Sequence, residues 1–254
     1  QAMAGRWEDA ADIYAAWGRN QWWMRKKTPR PAWLERMPVL ANVHDYENYV
    51  RMRPAWFAEQ QPEINHMLGD CEILNNFWHW ERYGIWIAPD CFPPVGGEEA
   101  MVEAANAIRG MGNHLMFLFS SGQYWLHKDI TDQYFEDKLM KMAIWPRART
   151  GRNRLVRQFP NLGKFIYMCP ASKDFQDRIV QLVNKLGDYR HEFVSMDIWP
   201  ISQPQPCHNP HHDHPPGLGL WHLQANLELV KRLYATISAK EPDAILGGEG
   251  MAEP

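Results

Sequence analysis

Three stretches of the sequence decide the fold: FVSMD (193–197), WHLQANLELVKRLYATISA (221–239) and AILGG (244–248). The first and last are short apolar runs, as expected of strands buried in a parallel sheet. The middle stretch carries large apolar residues at alternating spacings of four and three, which predicts a helix. A strand, a helix and another strand in this order predict a βαβ unit with parallel strands.

The same alternation extends towards the N-terminus. Further apolar runs predict strands near 37–43, 72–79 and 115–119. Amphipathic periodicity predicts three more helices, at 7–17, 98–109 and 174–186, the last of them with Ser172 as its N-cap.

Two α/β architectures fit five parallel strands, an open doubly wound sheet and a TIM (β/α)8 barrel. The long polar and aromatic segments that follow the strands are typical of both. A complete barrel has eight strands in about 250 residues. We therefore expect residues 1–254 to be the N-terminal part of a single (β/α)8 catalytic-type domain, truncated after the fifth strand.

Residues 138–164 differ from the rest of the chain, because they contain eight Lys and Arg residues and no Asp or Glu. This composition predicts a basic excursion inserted into the barrel. It is either a solvated segment or a surface for anionic groups of a substrate or partner.

Composition excludes several classes of protein. The chain has 27 Lys and Arg against 30 Asp and Glu, a net charge of −3, which argues against a nucleic-acid partner. No apolar run approaches the roughly 20 residues of a membrane-spanning helix. The 13 Trp residues fit either a large core or stacking platforms for sugars.

Candidate site residues follow the predicted strands, where barrel enzymes place their catalytic groups. Asp197 and Glu249 close two successive strands, and a pair of carboxylates is what a glycosidase needs as nucleophile and acid/base. We expect substrate contacts from the other strand-end residues and the loops, with the aromatic rings as stacking platforms. These residues are His44, Asp45, Trp80, Glu81, Asp90, Tyr124, Trp125, Trp199, His212, His214 and Glu253.

The His-rich loop CHNPHHDHPPGLG (207–219) has three interpretations. Its imidazoles either hydrogen-bond sugar hydroxyls beside Asp197, face solvent on a structural loop, or bind a metal. Clustering on one loop and the lack of a spaced metal signature argue against the third, so we expect no metal and no cofactor. With no CxxC pair among the four cysteines, a zinc knuckle is not expected, and Cys169 and Cys207 are expected to be small buried hydrophobes.

Five strings resemble one bacterial family of glycoside-hydrolase-like (β/α)8 barrel proteins, itself distantly similar to endo-α-N-acetylgalactosaminidase and α-amylase-type barrels. They occur in the family's order and span most of the chain, and the loop after Cys207 is the most specific of them. The strings are WEDAADIY (7–14), HWERYGIWIAPDCFPP (79–94), MCPASKDFQDRIV (168–180), VSMDIWPISQPQPCHNPHHDHPPGLG (194–219) and ILGGEGMAE (245–253).

The resemblance implies cleavage of an O-glycosidic bond with retention. Asp197 matches the nucleophile and Glu249 the acid/base, with Glu253 as a second candidate for the acid/base. It also implies partner segments beyond the sequence, namely the remaining C-terminal barrel strands and a flanking β-sandwich. Two alternatives stay open: a barrel that binds carbohydrate without cleaving it, and a hydrolase that uses a metal held by the His208–His214 loop.

Overall fold

The part of the chain that the structure describes forms two β-sheets, with helices packed against the larger one. The computed structural model describes residues 5–25, 30–36, 39–43, 54–82, 91–120, 122–126, 138–145, 157–159, 163–197 and 205–248. The helices in these ranges are α1 (Trp7–Gly18), α2 (Trp22–Arg25), α3 (Ala32–Arg36), α4 (Pro54–Met67), α5 (Glu98–Gly110), α6 (Met140–Met142), α7 (Lys173–Leu186) and α8 (Leu220–Lys240), and a 3-10 turn spans Gly187–Tyr189. The strands are β1 (Val39–Val43), β2 (Ile73–Phe77), β3 (His114–Ser120), β4 (Gln123–Leu126), β5 (Arg157–Phe159), β6 (Gly163–Tyr167), β7 (Phe193–Asp197) and β8 (Ile245–Gly248).

The larger sheet is entirely parallel and has the strand order β1-β2-β3-β7-β8. One row of aligned residues crosses it from edge to edge, namely Val43, Phe77, Phe117, Val194 and Leu246. The five predicted strands and their parallel arrangement are therefore confirmed. Because all five run the same way, their carboxyl ends share one edge of the sheet.

Alternate residues of β3 point to opposite faces of the sheet, as the period of two requires. Leu115, Phe117 and Phe119 belong to the larger cluster, which α5, α7 and α8 cover. Met116 and Leu118 lie on the other face with Leu74 and with Trp33 of α3. Both faces are thus apolar, as expected of a parallel sheet.

The four predicted helices are confirmed, but two of them bury less of their apolar stripe than the spacing suggests. In α5 and α7 the expected core residues are buried, and the Ser172 hydroxyl accepts a hydrogen bond from the Phe175 amide at 3.4 Å, as an N-cap does. In α8, Leu223 and Tyr234 are exposed, and the buried row begins with His222 and Asn226. These two polar residues tolerate burial because they hydrogen-bond to each other at 3.1 Å. In α1 the aromatic residues are exposed.

The smaller sheet is antiparallel, has the order β4-β6-β5, and is inserted between β3 and β7. Part of the basic segment 138–164 belongs to it. Lys138 and Lys141 are exposed, while Leu139 and Met140 between them are buried in the larger cluster. The described beginning of the basic segment is therefore anchored in the core.

A network of basic and acidic side chains lies at the amino ends of the strands. His114, at the start of β3, contacts Glu72 at 3.2 Å and Glu192 at 3.6 Å, and each carboxylate also pairs with an arginine, Arg36 or Arg109. The Glu192 carboxylate, together with Glu72, raises the pKa of His114, and the contact with His114 lowers the pKa of Glu72. The network ties β2, β3 and β7 together at the edge opposite the candidate site.

Candidate active site

The predicted nucleophile occupies the carboxyl edge of the parallel sheet. Asp197 is the last residue of β7, and its backbone is in register with Ser120 at the end of β3. Tyr124 and Trp125 lie on β4, which follows β3 closely. The other predicted contacts at this edge lie outside the described residues, and so does Glu249, one position past β8. These contacts are His44, Asp45, Asp90, Trp199 and Glu253.

Trp80 follows β2 and is fully buried. The residue before it, His79, adopts a left-handed conformation with φ of 57°. The Trp80 indole N–H donates to the Leu118 carbonyl at 2.9 Å, and the ring meets Phe117 edge-on with centroids 5.5 Å apart. The hydrogen bond satisfies the only polar atom of the side chain, so Trp80 has the properties of a core residue. Its role as a stacking platform stays a prediction that its burial does not favour.

Glu81 is buried beside Trp80, with 0% of its surface exposed. Neither carboxyl oxygen has a hydrogen-bond partner in another residue of the described part of the chain. Burial raises the pKa of Glu81 well above its ordinary value. Backbone hydrogen bonds hold this segment, since Arg82 N–H donates to Cys91 O and Val95 N–H donates to Trp80 O, both at 2.9 Å. A buried carboxyl of this kind can store a proton.

The His-rich loop forms a second cluster of chemically capable side chains. Its His212 and His214 converge with Cys207 and with Cys169, which follows β6, and all four potential ligand atoms lie within 4.8 Å of one another. Cys169 Sγ is 3.4 Å from His214 Nε2, and Cys207 Sγ is 3.5 Å from His212 Nδ1. The contact with Cys169 lowers the pKa of the Cys207 thiol, and His212 acts in the same direction. We call these four residues the Cys2His2 cluster.

Sequence reasoning singled out the loop but missed Cys169. That cysteine lies 207 − 169 = 38 residues before Cys207, and no spaced motif links the two. Only the docking of the loop against the end of β6 brings them together. Spacing arguments therefore could not link Cys169 to the loop, because a helix and a strand separate the two in the sequence.

The fold is similar to part of the structures of two glycoside hydrolases, an α-galactosidase and an α-N-acetylgalactosaminidase. An α-galactosidase from Thermus thermophilus, in complex with p-nitrophenyl α-D-galactopyranoside, superposes with a TM-score of 0.61 and 15% identity, over 93% of this chain and 41% of that one. An α-N-acetylgalactosaminidase from Bifidobacterium bifidum, in complex with GalNAc, superposes with a TM-score of 0.65 and 13% identity, over 98% of this chain and 41% of that one. The chain thus spans about two fifths of the length of these enzymes.

The chain belongs to the family described as Domain of unknown function (DUF6259), whose model matches residues 1–254. No curated protein sequence matches it. The expected glycoside-hydrolase-like fold is confirmed, and the finer similarity to amylase-type barrels stays a prediction. Among the helices in the described ranges, none combines the length and apolarity needed to cross a membrane.

Proposed function

We propose that this chain is part of a (β/α)8 barrel glycosidase that cleaves an O-glycosidic bond with retention. The observation that carries the proposal is the position of Asp197 at the carboxyl end of a central parallel strand, in a fold shared with α-galactosidases. Barrel enzymes gather their catalytic groups at that end of the strands.

The strand order supports a barrel over a doubly wound sheet. A doubly wound sheet reverses its strand order at a switch point. Here the order β1-β2-β3-β7-β8 follows the chain without reversal. In addition, α3 crosses the amino ends of the strands: the Trp33 ring packs on His114 of β3, and its indole N–H donates to Asp243 O, just before β8, at 3.0 Å.

The proposed chemistry uses two carboxylates. Asp197 attacks the anomeric carbon and the bond to the leaving oxygen breaks, while Glu249 protonates that oxygen. Glu249 then removes a proton from water, which displaces Asp197 and releases the sugar with its original configuration. Glu253 is the second candidate for the acid/base.

The solved relatives suggest the substrates to try first. The chain's likeness to enzymes that bind α-galactosides and GalNAc makes p-nitrophenyl α-D-galactopyranoside and its N-acetylgalactosaminide the first substrates. We expect hydrolysis by the protein and loss of at least about 1,000-fold in kcat with Asp197→Ala, comparable to the loss of other nucleophiles.

Matched variants separate this proposal from its alternatives. Glu103→Gln, at an exposed carboxyl on α5, is expected to retain full activity. Full activity of Asp197→Ala on every glycoside that the protein cleaves contradicts the proposed mechanism. Sugar binding that survives both Asp197→Asn and Glu249→Gln, with no turnover of any substrate by the unmutated protein, indicates a carbohydrate-binding barrel instead.

A further inference from the structure

The Cys2His2 cluster has the composition and spacing of a tetrahedral zinc site. Zinc–sulfur bonds of about 2.3 Å and zinc–nitrogen bonds of about 2.0–2.1 Å at tetrahedral angles place sulfur and nitrogen about 3.6 Å apart. The two measured sulfur–nitrogen distances, 3.4 Å and 3.5 Å, agree with this value. Two of the six distances between ligand atoms thus match a tetrahedral site, and none of the six exceeds 4.8 Å.

The protonation of the two imidazoles suits metal binding. His212 Nε2 lies 2.7 Å from the Lys141 carbonyl, and His214 Nδ1 lies 2.8 Å from the Pro215 carbonyl. A carbonyl only accepts hydrogen bonds, so each of these nitrogens carries the proton. The other nitrogen of each ring then presents its lone pair to the cluster, and this is the usual arrangement of metal-bound histidines.

The cluster is packed against neighbouring residues, and its two sulfur atoms belong to buried side chains. Cys169 and Cys207 are fully buried, and the His214 ring stacks on Trp221 with centroids 3.6 Å apart. The Asn209 side chain, two residues after Cys207, donates to backbone carbonyls of the segment that contains α6, and His208 N–H donates to Trp145 O at 2.7 Å. Such packing holds ligands in place before a metal arrives.

We propose that Cys169, Cys207, His212 and His214 bind one structural zinc ion that fastens the β7–α8 loop to the end of β6. Four protein ligands leave no open position for substrate or water, which is typical of structural rather than catalytic zinc. Two thiolates balance the charge of Zn²⁺, so the occupied site is neutral and suits its burial. The proposal does not depend on the glycosidase activity.

The test is the metal content of the purified, untagged protein, measured by inductively coupled plasma mass spectrometry. We expect about one zinc per chain, with an X-ray absorption edge that fits two sulfur and two nitrogen ligands. Replacement by Co²⁺ is expected to give the visible bands of tetrahedral cobalt and a thiolate-to-cobalt charge-transfer band.

Matched variants assign the ligands. Cys169→Ser and His214→Gln are expected to lose the zinc, whereas Cys71→Ser and His211→Gln, the latter at an exposed histidine of the same loop, are expected to retain it. If either ligand variant does not fold, the absorption spectrum of the cobalt-loaded wild-type protein still decides. Absence of zinc together with failure of the reduced protein to bind Co²⁺ overturns the proposal, and so does a Cys169–Cys207 disulfide in the purified protein or zinc retained fully by both ligand variants.

Discussion

Replacing Glu81 by Gln tests whether this buried carboxyl carries a proton in the folded protein. Glu81 is fully buried without a hydrogen-bond partner in another described residue, and its pKa is raised well above 4.5. Glutamine has nearly the same shape as a protonated glutamic acid but does not titrate. We therefore expect the Glu81→Gln protein to fold, and to differ from wild type chiefly in how its stability depends on pH.

The sign and size of the difference follow from proton linkage. Above pH 4.5 the unfolded chain releases the Glu81 proton, while the folded protein keeps it until its raised pKa is reached. The contribution of the Glu81 carboxyl to the free energy of unfolding is therefore fully present below pH 4.5, and it declines as pH rises. In that window the wild-type free energy of unfolding falls by about 1.4 kcal/mol per pH unit on account of Glu81 alone. The variant lacks this decline. The difference in free energy of unfolding between the variant and the wild type therefore shifts in favour of the variant by the same amount per pH unit.

Urea unfolding followed by circular dichroism at about pH 5, 6 and 7 measures the difference, with stability taken from linear extrapolation. Contributions of other titrating groups, including His114 and His191, are common to both proteins and cancel in the difference. Glu103→Gln is the control, because its carboxyl is exposed in the folded protein. A wild-type-to-variant difference that stays constant over this pH range refutes the reasoning and indicates that Glu81 is ionised and paired.

Three further predictions address the core and its electrostatics. Burial lowers the pKa of His191 from 6.5 to about 4, so the wild type should lose about 1.4 kcal/mol of stability per pH unit as pH falls through this interval, and His191→Gln should not, in the same urea assay. Phe117→Ala removes a fully buried ring in contact with Phe77, Trp80 and Tyr189, and should cost about 4 kcal/mol in urea unfolding, against less than about 0.5 kcal/mol for the exposed Leu223→Ala. Ser172→Ala removes the N-cap of α7 and should cost about 1 kcal/mol, whereas an unchanged unfolding midpoint would show that this 3.4 Å hydrogen bond contributes nothing.

The sequence predicted the parallel sheet well because each strand is a short, nearly continuous apolar run. β2 and β3 are buried on both faces, so burial and strand propensity agree there. Helix α4 went unpredicted because its apolar residues lack a clear period and because Pro62, a residue that disfavours helix interiors, lies within it. The antiparallel sheet was also missed, since β5 and the first two residues of β6 lie in a segment whose dominant feature is its positive charge. The positive charge of such a segment indicates which residues are exposed. It does not indicate whether the residues between them alternate as in a strand.

The candidate site was predictable only in part. Strand-end logic placed Asp197 correctly at the carboxyl edge, because the end of an apolar run can be read directly. The Cys2His2 cluster could not be deduced, because it depends on a tertiary contact between Cys169 and the His-rich loop. Likewise, the sequence marks Glu81 as a polar strand-end residue but cannot indicate that its carboxyl is buried without a partner.

The insertion of the antiparallel sheet between two neighbouring parallel strands has a consequence for the evolution of the family. β3 pairs with β7 across 193 − 116 = 77 positions of chain, measured from Met116 to its partner Phe193. Loop-closure entropy grows only with the logarithm of length, so halving or doubling the length of a flexible connection changes the closure term by only about 0.6 kcal/mol. Relatives can therefore lengthen or trim the parts of the connection that lie outside the core at little cost in closure entropy. Where relatives preserve its length and sequence, the constraint comes from the residues that the connection contributes to the core and to the Cys2His2 cluster.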